Sequence, residues 1–94
     1  MPKAEPIVQS ATQYADVTLT LWPNPVTDVA NLHFNRKVAE ADVSIVNMSG
    51  EAVFRKVYSS VRDVFIPVDD LPQGTYMVVA EWDGKRMVTQ MVHI

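Results

Sequence analysis

The sequence predicts an all-β fold, an antiparallel β-sandwich of about seven short strands. Three observations carry this. Apolar and polar residues alternate in short runs, as strands with one buried face require; Gly, Pro, Asn, Asp and Ser gather between the runs, as turns require; and Asp83-Gly84 is a two-residue hairpin signal. With 94 residues, 48% of them hydrophobic, the chain makes one domain with a modest core.

Residues 1–16 carry Pro2 and Pro6 among small polar residues without a sustained period, and are read as a linker or N-terminal arm. Residues 17–94 are the folded domain. Val17 to Leu21 alternates strictly, with Val17, Leu19 and Leu21 inward. Pro23 and Pro25 then remove two backbone donors, so Trp22-Pro-Asn-Pro25 cannot continue a central strand and must cross over or run along an edge. After a turn at Val26 to Asp28, Val29 to Phe34 resumes with Ala30, Leu32 and Phe34 on one side. Ala41 to Met48 is the next strand, with Val43 and Ile45 inward. Gly50 takes a left-handed position in the loop to Glu51–Tyr58, and Val64, Ile66 and Val68 alternate again before Asp69-Asp70.

Asp70 to Tyr76 supplies Pro72 and Gly74 for a turn, then a tyrosine that opens a strand. This is the pattern of the corner in immunoglobulin-like sandwiches, where the hydroxyl bonds back to upstream backbone. The type I′ turn at Asp83-Gly84 sets the register of the last hairpin, because Gly accepts φ > 0 freely and Asp tolerates it. Trp82 falls opposite Lys85, Glu81 opposite Arg86, Ala80 opposite Met87, Val78 opposite Thr89 and Tyr76 opposite Met91. One face then collects Tyr76, Val78, Ala80, Met87, Thr89 and Met91. The other presents Met77, Val79, Val88 and Val92, with Ile94 beyond them, an apolar surface that docks a partner, is covered by the N-terminal arm, or reflects a register shifted by a bulge.

Four motifs, taken together, resemble the C-terminal sorting domain of type IX secretion cargo: Leu21-Trp-Pro-Asn-Pro-Val-Thr-Asp28, Val43-Ser-Ile-Val-Asn-Met-Ser-Gly50, Leu71-Pro-Gln-Gly-Thr-Tyr-Met-Val78 and Gly84-Lys-Arg86 before the last strand. The resemblance spans roughly residues 17–94. It implies an immunoglobulin-like sandwich carried on the C-terminus of a larger exported protein of a Gram-negative, Bacteroidota-type bacterium. It further implies passage through the periplasm to the cell surface or medium, with three partners: the outer-membrane translocon, a sortase-like signal peptidase that cuts upstream of the first strand, and the parent cargo domain. By the same resemblance Pro23, Asn24, Pro25, Gly50, Gly74, Tyr76, Gly84, Lys85 and Arg86 are candidate recognition residues. Trp22 stands where the family often has Tyr, and Met87 to Ile94 lacks the lysine the family commonly carries there.

Composition narrows the alternatives. A net charge of −3 argues against a nucleic-acid module, since phosphate binding needs a basic field. No apolar run reaches the roughly 20 residues that span a bilayer. Without Cys there is neither a disulfide nor a thiolate site. No nucleophile, base and stabiliser can be named together, so no enzyme and no cofactor is expected. Asp42, Asp63, Asp69 and Asp70 lack the dense spacing of a calcium loop. His33 and His93 are read as surface residues. The dibasic pairs Arg36-Lys37, Arg55-Lys56 and Lys85-Arg86 are read as solvating strand ends and discouraging edge pairing. The competing function is a retained binding or adhesion module for glycan or protein, with Trp22 and Trp82 as exposed aromatic contacts; a structural spacer is a third reading. The sequence leaves dimerisation open.

Overall fold

The computed structural model describes residues 18–94, and the backbone of Gln13, Tyr14 and Val17. Its strands are β1 (Gln13–Tyr14), β2 (Val17–Trp22), β3 (Val29–Asn47), β4 (Ala52–Pro67), β5 (Gly74–Trp82) and β6 (Lys85–His93). All pairings between these strands are antiparallel, in the order β1-β2-β3-β5-β6, with β4 beside β3. The linker or arm expected over residues 1–16 lies outside the described residues, apart from β1, which pairs Gln13 with Thr18 and Tyr14 with Val17.

The expected seven strand segments are five continuous strands, with β1 in addition. The segments 29–34 and 41–48 are one strand of 19 residues, and 51–58 and 64–68 merge into one of 16. Both bend where the sequence pattern breaks. Between the pairs His33–Asp63 and Val38–Val61, four residues of β3 face one of β4, and extra residues on one side bend a strand without ending it. Ser60 on β4 has φ of 53°, a left-handed kink on the partner strand. Asn35 pins the corner: its Oδ1 accepts from the Thr18 amide at 2.9 Å, and its carbonyl accepts from Arg62 Nη2 at 3.0 Å. The first half of β3 therefore pairs with β2 and the second half with β5, so the sheet curls over itself as a sandwich.

The inward residues expected from alternation fill the space between the layers. Leu19, Leu21, Ala30, Leu32, Phe34, Val43, Ile45, Val64, Ile66, Val68, Tyr76, Val78, Ala80, Met87 and Met91 are all buried. Trp82 joins them at 2% exposure, packed edge-on against Phe34 with ring centroids 5.3 Å apart. The sequence offered it as an exposed contact; its place two positions beyond Ala80 on the inward face of β5 puts it inside instead. Trp22, at 43% exposure, is on the surface.

The last hairpin has the register set by its turn, with Asp83 at φ 51° and Gly84 at φ 73°. Tyr76 donates its hydroxyl to the Pro72 carbonyl at 2.5 Å, closing the corner.

Candidate functional site

Pro23, Asn24 and Pro25 sit on the outer edge of β6. Both proline bonds in this segment are cis. The Asn24 side chain bridges β6 as a strand residue would: its Nδ2 donates to the Gln90 carbonyl at 3.1 Å and its Oδ1 accepts from the Val92 amide at 3.0 Å. Val26 continues the pairing through backbone alone, donating to the Val92 carbonyl at 2.7 Å and accepting from the Ile94 amide at 3.0 Å, beside a parallel bridge to His93. An edge strand presents a row of unpaired backbone groups. Here one side-chain amide and one valine satisfy that row from Gln90 to Ile94, and in doing so join the two layers of the sandwich at this end.

His93 locks the same corner and corrects the surface assignment. At 5% exposure its Nδ1 lies 2.9 Å from the Val26 carbonyl and its Nε2 lies 3.0 Å from the Leu71 carbonyl. Both neighbours are backbone carbonyls, so whichever ring nitrogen carries the N–H has an acceptor. Neither Val26 nor His93 stood out as a site residue, because each bond spans more than twenty positions. The one available signal was their place in alternation: His93 follows Met87, Thr89 and Met91 on the inward face.

Gly50 lies at the same end. Asn47 pairs with Tyr76, and Tyr76 with Met91, so the β3–β4 turn reaches past the start of β5. Asn47 organises the turn, its Oδ1 accepting from the Ser49 and Glu51 amides at 3.0 and 2.9 Å, while Gly50 takes φ of 88°. Gly74 opens β5 directly opposite His93. Gly84, Lys85 and Arg86 are at the other end of the nine-residue β6, about 30 Å away at ~3.3 Å per residue. The candidate residues therefore form two groups.

Met77, Val79 and Val92 are half-buried on the outer face, with Val88 and Ile94 exposed. Val79 stands opposite Val88 and Met77 opposite Gln90. This face is flanked by the Glu81–Arg86 pair, 3.6 Å apart, and by a bidentate Asp42–Arg55 pair with bonds of 3.0 and 2.6 Å. The Arg55 hydrogen bonds hold the Asp42 carboxyl below its ordinary range, and Asp42 in turn raises the Arg55 guanidinium. An open groove of about 750 Å³ beside the hairpin turn has Glu40, Asp42, Glu81 and Asp83 along its walls with Lys85 and Arg86. Among the described residues no three His, Asp or Glu side chains are placed to hold a metal ion.

The secretion system C-terminal sorting domain family matches residues 20–94, from the middle of β2 to the last residue. The chain belongs to that family. It is a C-terminal sorting signal for type IX secretion, which implies contact with the type IX machinery, a parent cargo protein, and export to the cell surface or extracellular space. The family is not an enzyme family, and the retained binding module finds no support. No curated protein matches the chain.

Proposed function

We propose that the sorting domain is read as a folded unit through its last hairpin, with the Asn24–Val26 segment holding the end of β6 in a fixed conformation. The observation that supports this is the seating of Pro23-Asn24-Pro25 against Gln90 to Ile94. Two motifs almost seventy residues apart form one exposed surface there. Met77, Val79, Val88, Val92 and Ile94 supply its apolar part, and partner docking on such a patch releases ordered water. Lys85 and Arg86 flank the face from the far turn. Gly50, Gly74 and Tyr76 shape the turns beneath the surface and touch no partner.

On this reading residues 1–16 lead from the cargo to the sorting domain at 17–94. A sortase-like peptidase cuts upstream of β2 and attaches the released cargo to the cell surface. The domain performs no catalysis itself. The test fuses the full chain to the C-terminus of a periplasm-targeted reporter in a cell with a working type IX system, then weighs the exported reporter. The expected product is outside the cell and lighter by about the domain. Full-mass reporter outside refutes cleavage, and reporter held in the periplasm with the domain folded refutes recognition of the hairpin.

A further inference from the structure

β4 has β3 on one side, and among the described residues no strand pairs with its other side. β4 is 16 residues long, and the pairing register shows which backbone groups its free edge presents. Val92 turns its N–H and C=O away from β5, toward Asn24 and Val26. Alternation carried across the antiparallel ladders then points Asp42, Ser44 and Val46 at β5, and Ala41, Val43 and Ile45 at β4. Their partners Tyr58, Lys56 and Phe54 face β3, so Arg55, Val57 and Ser59 direct their N–H and C=O groups outward.

The side chains along this edge form a pattern. Val53-Phe54-Arg55-Lys56-Val57-Tyr58 is a cation pair between two apolar pairs, at the fourth and fifth positions of a 16-residue strand. Alternation divides it between the two faces: Val53, Arg55 and Val57 on the outer face, Phe54, Lys56 and Tyr58 on the rim of the core. Val53 and Val57 are 38% and 47% exposed, while Phe54 and Tyr58 pack only partly against the core. The Lys56 ammonium lies 5.2 Å from the centroid of the Tyr58 ring and forms no ion pair among the described residues.

We infer that the β4 edge at Val53 to Tyr58 binds an extended protein segment by strand addition, and that the segment carries an acidic pair between apolar residues. Strand addition draws affinity from main-chain hydrogen bonds and selectivity from alternate side chains. An incoming acidic pair meets Lys56, which has no ion pair among the described residues, on one face. On the other, Arg55 is held by Asp42 through Nε and Nη2 and offers the second acid its remaining Nη1 donors, while the apolar neighbours cover Val53, Val57, Phe54 and Tyr58. A second copy of this chain is a poor occupant, because antiparallel self-pairing over this stretch sets cation pairs beside cation pairs, and like charges opposite each other repel. This edge lies two strands from the last hairpin in the order β4-β3-β5-β6, with the Asp42–Arg55 pair between them.

The test uses the full chain and a fluorescein-labelled decapeptide centred on Val-Ile-Glu-Glu-Val-Ile, compared by anisotropy with the same peptide carrying Lys-Lys. The acidic peptide should bind about tenfold tighter or more, the preference should weaken with salt, and Lys56→Glu should invert it. Val57→Pro removes an outward N–H and leaves the β3 ladder intact, a placement edge strands tolerate. It should lower affinity about tenfold with the native spectrum kept. Equal binding of both peptides, no binding of either, or Val57→Pro and Lys56→Glu each behaving as wild type would overturn the inference. So would self-association that Val57→Pro abolishes, which would assign the edge to a second copy.

Discussion

Replacing Asn24 with alanine isolates the contribution of one side chain to the end of β6. Two hydrogen bonds are lost, from Nδ2 to the Gln90 carbonyl and from the Val92 amide to Oδ1. Each contributes about 0.5–1.5 kcal/mol net, and because Asn24 is exposed, water takes over part of the loss. The sum is about 1–2 kcal/mol, which lowers the melting temperature of a domain this size by about 5–15 °C. Against a total of about 5–14 kcal/mol the protein stays folded at room temperature, so an export defect would report recognition rather than unfolding. Amide exchange gives the site-specific reading. The Val92 amide, which loses its acceptor, should exchange faster in Asn24→Ala, while the Met91 amide, directed at β5, should keep its protection. Asn24→Asp keeps the acceptor for Val92 and sets a carboxylate oxygen against the Gln90 carbonyl, so it should be destabilised with Val92 still protected. Unchanged melting and unchanged Val92 exchange in Asn24→Ala would refute the clamp.

Three further outcomes follow from the packing and charge. Acrylamide should quench Trp22 emission readily and Trp82 emission poorly, and Trp82→Ala should cost about 3–5 kcal/mol by denaturant titration, because it empties the space against Phe34. Gly84→Ala should lower stability by about 1–2 kcal/mol, since φ of 73° suits a residue without Cβ, while cross-hairpin NOEs keep the register. The depressed Asp42 carboxyl gives a stabilisation that is complete above its ordinary value of 3.8 and lost as pH falls through its lower folded value. Wild type and Asp42→Asn should therefore differ in urea midpoint at pH 7 and converge in stronger acid; a difference independent of pH would refute the Arg55 pairing.

The sequence made legible what depends on local chemistry. Asp83-Gly84 specified a turn, the turn specified nine cross-strand pairs, and period-two alternation selected Leu19, Leu21, Ala30, Leu32, Phe34, Val43, Ile45, Val64, Ile66 and Val68 as inward. Two kinds of feature escaped it, for different reasons. Strand continuity through Asn35-Arg36-Lys37 and Ser59-Ser60 was hidden because a bulge interrupts alternation as a loop does; only the partner strand shows that the backbone keeps its ladder. The seat of the Asn24–Val26 segment was hidden because an asparagine that substitutes for a strand residue has no period, and its partners lie 66 and 68 positions away. His93 shows how the two limits meet. Alternation placed it on the inward face, while its chemistry suggested the surface; inside, it has carbonyl acceptors for both ring nitrogens, which is how a polar ring becomes compatible with burial. A buried polar residue on an apolar face thus points to a long-range backbone partner, and here the partners are the carbonyls of Val26 and Leu71, the first of them in the segment seated on β6.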